Sequence, residues 1–299
     1  MHTSFARLIE SSRESFLPGT LYVLATPIGN LADMTARAIA ALSVADVVCA
    51  EDTRVTGQLL KSYGLHAKKL VSLREHNECS MAQQVIGWLR EGQIVVQASD
   101  AGTPAVSDPG ARLVQAVRQA GLTVCPIPGA CAVVTALSAS GLTAPSFLFH
   151  GFLPPKSGER RRTLAQWRSS TYSVVCYEAP HRIIDSLQDI VAELGAERPL
   201  FIARELTKTF ETLKYLPAGE MLQWVESDSN QQRGEFVLVI EAAPPVAETS
   251  GLSAEVLHTL QILAAELPTK QAATLTAQLT GANKKVLYEH ALALKAEKD

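Results

Sequence analysis

The residues able to do chemistry gather in short polar strings that close apolar runs. Ala50-Glu51-Asp52-Thr53-Arg54 sets two adjacent carboxylates beside a guanidinium. The arginine can neutralise one and leave the other free to move a proton, or Asp52 or Thr53 can simply cap a helix. Glu75-His76-Asn77 closes the next run, with capping and chemistry again both open. The longest string, Ser99–Gly110 (SDAGTPAVSDPG), holds two Gly, two Pro, two Asp and two Ser. A loop so braced presents amides, carbonyls and carboxylates in fixed directions, which suits a polar small molecule. Pro128-Gly129-Ala130-Cys131-Ala132 is built of small residues against which a flat ligand can lie. Tyr177-Glu178-Ala179-Pro180-His181-Arg182 carries His181, the residue type best suited to proton transfer near neutral pH. Pro180 at a helix N1 position would instead make His181 an ordinary first-turn residue. Arg204-Glu205-Leu206-Thr207-Lys208 is either a phosphate contact or a surface ion-pair cluster.

Basic charge concentrates at Lys156, Arg160, Arg161, Arg162 and Arg168, with Glu159 against it. Such a run is a solvated helix face or a patch for a nucleic-acid backbone. Lys284 and Lys285 open the last helical stretch, where a recognition helix would face phosphates. Other chemistries are disfavoured. Thr26-Pro27-Ile28-Gly29-Asn30-Leu31 after the first apolar run is no G-x-G-x-x-G fingerprint, and no G-x-x-x-x-G-K-[ST] loop occurs. The cysteines, Cys49, Cys79, Cys125, Cys131 and Cys176, form no C-x-x-C pair and no zinc spacing, so reduced thiols and no metal are expected.

These strings need a scaffold that brings strand ends together. Leu21–Ala25, Val47–Ala50, Lys69–Leu73, Ile94–Ser99 and Thr123–Ile127 read as strands. Helical periodicity fills the intervals at Ala36–Leu42, Gly57–Tyr63, Met81–Arg90, Ala111–Ala120 and Cys131–Ser140. Continuous apolar strands alternating with helices predict a parallel sheet covered on both faces, with its ligand beyond the strand C-termini. Gly151–Gly158 reads as a linker. A second α/β region follows, with strands at Ser173–Tyr177, Leu200–Ala203, Thr209–Leu213 and Glu235–Ile240 and a helix at Ile183–Leu194. Ala242–Gly251 reads as a second linker, and Ala254–Leu267, Lys270–Leu279 and Lys284–Lys295 as three short helices resembling a helix-turn-helix. The expected plan is an α/β domain over 19–145, a second over 146–242 and a helical tail over 252–299.

The chain has 299 residues, 47% of them hydrophobic and 19% charged, with a net charge of −3. That excludes wholesale disorder and a global basic coat. No apolar run approaches the roughly 18 residues of a membrane span, and Met1–Pro18 lacks the apolar stretch of a signal peptide. A soluble cytoplasmic protein is expected.

Taken together, the strings go beyond a generic α/β protein. Ala25–Leu31, Ala50–Arg54, Glu75–Asn77, Ser99–Gly110, Pro128–Ala132, Gly151–Lys156, Tyr177–Arg182, Arg204–Lys208 and Arg233–Ile240 stand in the order seen in one family. The chain resembles the ribosomal RNA small subunit methyltransferase I family, within the tetrapyrrole-methylase-like (class III) methyltransferases. Lys270–Leu292 resembles that family's helix-turn-helix tail; Gln97-Ala98 and Arg233 depart from its usual residues.

The resemblance implies methyl transfer from S-adenosyl-L-methionine to the ribose 2′-hydroxyl of a cytidine in the decoding region of small-subunit ribosomal RNA. It implies two α/β domains with the cofactor in the cleft between them, and a homodimer. The partner would be the RNA or the assembled small subunit. Cofactor contacts carry over onto Pro27, Asp100, Gly102, Thr103, Val106, Ser107, Pro128, Cys131 and Ala132, and onto Tyr177, Leu206 and Phe236. In-line transfer requires the hydroxyl oxygen roughly 3–3.5 Å from the methyl carbon and a base for its proton. Glu51, Asp100 and His181 are the candidate catalytic groups, with Asp52 and Glu178 as further carboxylates. Arg54, Arg160, Arg161, Arg162, Arg204, Lys208, Lys284 and Lys285 are the candidate RNA contacts. Two rivals remain: a methylase of the same fold acting on a tetrapyrrole or other small molecule, and a non-catalytic RNA-binding assembly protein. The basic run and the helical tail weigh against the first, since a small substrate requires neither.

Overall fold

The computed structural model describes residues 4–244, 252 and 254–296. After α1 (Phe5–Arg13), five strands form the first sheet: β1 (Thr20–Leu24), β2 (Val47–Ala50), β3 (Leu70–Ser72), β4 (Val95–Ala98) and β5 (Thr123–Ile127). All pair in parallel, in the order β3-β2-β4-β1-β5. Between them run α2 (Ala36–Val44), α3 (Thr53–Ser62), α4 (Glu78–Arg90) and α5 (Ala111–Gln119), and α6 (Ala132–Ser140) follows β5. The period-2 alternation of a strand sends neighbours to opposite faces. Tyr22, Leu24, Val48 and Val96 pack with Ala38–Leu42 of α2 and Leu60 of α3. Leu21, Val47, Cys49 and Val95 pack with Val85 and Leu89 of α4 and Leu113 and Val117 of α5. Both faces are apolar, which is why the strands read as unbroken hydrophobic runs.

The second sheet contains β6 (Phe147–Phe152), β7 (Ser173–Glu178), β8 (Pro199–Arg204), β9 (Thr212–Pro217) and β10 (Phe236–Ile240), in the order β6-β7-β10-β8-β9. The β6–β7 pair is parallel and the rest antiparallel. One face, with Val174, Cys176, Leu200, Ile202, Leu238 and Ile240, is covered by α7 (Ser157–Ala165), α8 (Ile183–Leu194) and α9 (Ala218–Ser227). The opposite face, with Val175, Phe201, Ala203, Val237 and Val239, packs on Val133 and Ala136 of α6. Helix α6 thus joins the two sheets within one compact unit that ends at Ala243.

The predicted linker at Gly151–Gly158 is corrected. Gly151 and Phe152 complete β6, and Ser157 and Gly158 open α7, leaving only residues 153–156 between them. Helix α7 showed no apolar periodicity because its buried face consists of Leu164 and the charged Arg160. Strand β9 starts later than the predicted Thr209, and α1 and α9 were not foreseen. The second predicted linker, Ala242–Gly251, is described only to residue 244 and otherwise lies outside the described residues.

The second compact unit begins at Pro244 and contains α10 (Ala254–Glu266), α11 (Thr269–Thr280) and α12 (Lys284–Ala296). Leu260, Ala272, Ala273, Leu287 and Ala291 form its core. Gly281, at φ +73°, ends α11 in the left-handed conformation that favours glycine, and Asn283 Oδ1 accepts the Lys285 amide at 2.9 Å. Among the described residues no helix is long and apolar enough to cross a membrane, and no cluster of His, Cys, Asp or Glu could hold a metal.

Candidate active site

The loops after β1, β4 and β5 are fastened to one another. The Thr26 amide donates to the Gly102 carbonyl at 2.9 Å, and the Thr26 carbonyl accepts the Gly102 amide at 3.0 Å. The Thr26 hydroxyl donates to the Ser99 carbonyl at 3.1 Å, and the Ser99 hydroxyl to the Gly102 carbonyl at 3.0 Å. The Thr103 hydroxyl donates to the Ala130 carbonyl, also at 3.0 Å. At its far end the long loop is held by Glu78, which is only 3% exposed. Glu78 Oε1 accepts the Gly110 amide at 2.6 Å and Oε2 the Arg112 amide at 3.1 Å. A carboxylate from α4 therefore caps α5, whose own N-cap is Gly110 and offers no side chain.

Opposite these loops stand the ends of β7, β8 and β10. Contact across the seam is backbone-thin: a Cβ on Gly29 would lie 2.5 Å from Lys208 Cγ, 2.8 Å from Thr207 Oγ1 and 2.9 Å from the Leu206 carbonyl. Four non-glycine residues occupy the left-handed region, Ala105 and Ser107 on one side and Glu205 and Thr207 on the other. Held backbone strain of this kind gathers where a ligand site is shaped.

Between the two sets of loops lies a cavity of ≈ 410 Å³, within the range of small-molecule sites. Ile28, Glu51, the loop residues Asp100–Thr103 and Val106–Asp108, Cys131 and Ala132 line the first sheet's side. Phe152, Tyr177–Pro180, Ala203, Leu206 and Glu235–Val237 line the other. Among these residues are five carboxylates, Glu51, Asp100, Asp108, Glu178 and Glu235, and no Lys, Arg or His. The wall favours a cation and disfavours phosphates.

The acids differ in availability. Glu178 is spent on structure: Oε1 accepts the Ala179 amide at 2.7 Å and Arg182 Nε at 2.8 Å, and Oε2 accepts the Ser186 hydroxyl at 2.6 Å. Asp100 Oδ1 accepts the Asp52 amide at 3.0 Å, and Glu51 Oε2 accepts the Asp100 amide at 3.4 Å. Burial raises the Glu51 carboxyl, with the Asp100 and Asp52 charges adding, against the Asp100 amide and Arg74, which lower it. Burial, then the charges of Glu51 and Asp100, push Asp108 up to about 6. Asp52 is held low by Arg54, with which it makes both hydrogen bonds and an ion pair. It also caps α3 by accepting the Arg54 amide at 2.8 Å, the capping role left open in the sequence.

Of the residues predicted to hold a cofactor, Asp100, Gly102, Thr103, Val106, Ser107, Cys131, Ala132, Tyr177, Leu206 and Phe236 line the cavity. Pro27 and Pro128 do not: Pro27 is buried one residue behind Ile28, and Pro128 is exposed. Glu51 and Asp100 are on the wall. His181 is not among the lining residues; it sits exposed in the single turn Pro180–Arg182, with Pro180 at N1. Sequence reasoning did not single out Asp108, because the polarity of its loop hid which carboxylate would be desolvated. It missed Phe152, which lay inside a supposed linker, and Glu78, whose partners are remote in sequence.

The predicted basic surface is thinner than its sequence. Arg160 is 2% exposed, with Nε 2.7 Å from Asp189 Oδ2, and so cannot meet RNA. Arg204 is buried too, donating to the carbonyls of Arg233 and Phe210 and to the Thr212 hydroxyl. Arg161 and Arg168 share Glu193, and Lys208 bridges Glu205 and Glu235. Arg54, Arg162, Lys284 and Lys285 are exposed.

Residues 20–222 match the family of Tetrapyrrole (Corrin/Porphyrin) Methylases, and residues 250–295 match the RsmI C-terminal HTH domain. The ribosomal RNA small subunit methyltransferase I of Neisseria meningitidis serogroup B is 53% identical over 97% of this chain and 99% of its own. The protein of the same name from Escherichia coli O157:H7 is 48% identical over 92% and 95%. Among solved structures, uroporphyrin-III C-methyl transferase from Thermus thermophilus, complexed with S-adenosyl homocysteine, aligns with a TM-score of 0.51. That alignment has 18% identity and covers 74% of this chain and 97% of that one, a likeness of fold.

Proposed function

This chain belongs to the ribosomal RNA small subunit methyltransferase I family, a branch of the tetrapyrrole methylases, and from that membership we propose how its cleft acts on RNA. It is an S-adenosylmethionine-dependent methyltransferase of small-subunit ribosomal RNA. The acceptor in our reading is the ribose 2′-hydroxyl of a cytidine in the decoding region. The observation that carries the donor side of the reading is a cleft whose charged lining residues are all carboxylates; the acceptor follows from the family.

That wall fits the cofactor. A sulfonium is a cation, and the short side chains of Cys131 and Ala132 leave room for a flat ring system. A Cβ at Gly102 would lie 3.3 Å from Ile28 Cγ2, so the loop already approaches as closely as its neighbours allow. Asp100, Gly102, Thr103, Val106, Cys131, Ala132, Tyr177, Leu206 and Phe236 would hold the group. When bound, S-adenosylmethionine supplies a methyl carbon made electrophilic by the positive sulfur.

The protein's own task is to place the ribose oxygen in line and take its proton. Asp108 is the base in this reading: it lines the cavity, and a carboxyl pushed up to about 6 is a stronger base than an ordinary one while still ionised at neutral pH. Asp108 would take the hydroxyl proton and pass it on to solvent, while the bound donor would supply the methyl group and leave as S-adenosylhomocysteine. Glu51 and Asp100 keep the wall negative. Exposed Arg54 and Arg162, and separately Lys284 and Lys285 of the C-terminal unit, supply backbone contacts to RNA.

We further propose a homodimer in the cytoplasm. Its support is the apolar surface at the edge of the second sheet, where Phe210, Leu213 and Tyr215 are exposed. Light scattering on the purified chain tests it; a monomer at micromolar concentration removes it.

Single-turnover transfer of a labelled methyl group to isolated small subunits, with S-adenosylhomocysteine affinity measured in parallel, tests the catalytic reading. Asp108→Asn should bind the product cofactor and lose about 10²–10⁴-fold in rate, the usual worth of a general base. An unimpaired variant rejects Asp108 as the base. Transfer to a tetrapyrrole in place of the subunit rejects the RNA assignment.

A further inference from the structure

Phe152 is apolar, 52% exposed and on the cavity wall. Its position follows from one extra residue. Along the β6–β7 pair, Phe149 lies opposite Val175, but Gly151 lies opposite Cys176 and Phe152 opposite Tyr177. His150 is the bulged residue. In regular pairing Phe152 would share the face of Cys176 and be covered by helices; the bulge restores it to the face of Val175 and Tyr177. The bulge is held on both flanks. Gly151, at φ +83°, passes so close to the long loop that a Cβ would meet Ser107 Oγ at 3.2 Å, and the His150 ring packs edge-on against Trp167 at 5.1 Å. Tyr177 fixes the result, contacting Phe149 edge-on at 5.1 Å and Phe152 at 5.5 Å. A half-exposed ring is thus placed on the cleft wall and held there by an edge-to-face contact with Tyr177.

Building on the function proposed above, we propose that Phe152 is the stacking platform for the base of the target nucleotide. A cleft closed on both sides by loops takes a single nucleotide rather than a duplex, so the nucleotide enters unpaired and its unstacked base needs an apolar surface. Of the aromatic residues on the wall, Phe236 is buried and Tyr177 half-buried, which leaves Phe152 as the half-exposed ring. The ring supplies position along the RNA, while the loops of the first sheet hold the donor.

The test uses the full chain, with Phe152→Ala and Phe152→Trp. Three quantities are measured: kcat and KM for isolated small subunits, affinity for S-adenosylhomocysteine, and thermal stability. Alanine should lower kcat/KM by roughly 5- to 100-fold, the range found for a lost base–aromatic stack. Product-cofactor affinity should stay within about twofold, and tryptophan should restore most of the activity. In the tryptophan variant, an unpaired cytidine oligonucleotide should quench fluorescence that wild type does not lose. Equal loss of S-adenosylhomocysteine affinity would assign Phe152 to the cofactor and overturn the platform, as would an alanine variant with unchanged kcat/KM beside an active wild type. A wild type that binds S-adenosylhomocysteine yet methylates no RNA would overturn the function itself, and the platform with it.

Discussion

Glu78→Ala should loosen the cofactor loop without touching the cavity. The carboxylate is buried, lines nothing and accepts two amides, those of Gly110 and Arg112. The buried Gly110 amide left without a partner costs about 1–3 kcal/mol, the Arg112 amide, on an exposed residue, costs less, and the favourable charge at the α5 N-terminus is lost as well. Partial entry of water relieves some of this, so the expected loss is about 2–4 kcal/mol. In a unit of this size that lowers Tm by roughly 4–16 °C. Residues 100–108 would then spend less time in the binding shape, and the S-adenosylhomocysteine Kd should rise about 3- to 10-fold, in proportion to the lost population. Glu78→Gln keeps one acceptor and turns its NH₂ towards the other amide, so it should fall about halfway. Scanning calorimetry with and without S-adenosylhomocysteine reads both effects. A Glu78→Ala protein within about 2 °C of wild type and with unchanged affinity would refute the idea that this distant cap supports the loop.

Further outcomes are expected elsewhere. Gly29→Ala forces a methyl group against Lys208, Thr207 and the Leu206 carbonyl, and overpacking of this kind costs about 1–3 kcal/mol; denaturant melts should show the loss and titration a weaker S-adenosylhomocysteine complex, while wild-type values for both would reject the seam as tight. Arg160→Ala breaks a buried ion pair and should cost about 3–5 kcal/mol, yet leave the salt dependence of RNA binding by the folded protein unchanged. A shallower salt slope would mean that Arg160 meets phosphate after all. For Asp108, the folded carboxyl holds its proton up to about pH 6 whereas the unfolded one releases it near 4, so wild type loses stability relative to Asp108→Asn as pH rises through that window, with no further change above it. The rate of methyl transfer should climb through about pH 6 and then level off, and the step should vanish in Asp108→Asn; a step that persists belongs to another group.

The inner strands of the first sheet were legible because both their faces are buried. Val47–Ala50 coincides with β2, buried throughout, and Thr123–Ile127 with β5, an edge strand that keeps its apolar run although only Ile127 is fully buried. The C-terminal helices were legible through punctuation, Pro268, Gly281 and Asn283. Where side chains break the pattern, legibility failed. Helix α7 buries an arginine, which reads as surface until Asp189 is brought beside it from α8. Strand β6 has an exposed edge and a bulge that disrupts its alternation, so its sequence reads as connection. At the site, backbone-forming strings such as Gly102–Thr103 and Cys131–Ala132 found the cavity wall from sequence alone. Rank among the carboxylates did not follow, because whether Asp108, Glu178 or Glu51 is free depends on partners that only folding supplies.

Helix α6 carries a consequence for anyone wishing to divide the molecule. A fragment stopping near residue 145 would keep α6 but strip the cover from Val133 and Ala136, and one starting there would leave Val175, Phe201 and Val237 bare to water. Neither half is expected to be well behaved by itself, and mixing them should yield a complex in which each completes the other. The second compact unit, from Pro244 on, has a core of its own in Leu260, Ala272, Ala273, Leu287 and Ala291, so a cut after Ala243 is where excision of the tail should leave a folded first unit.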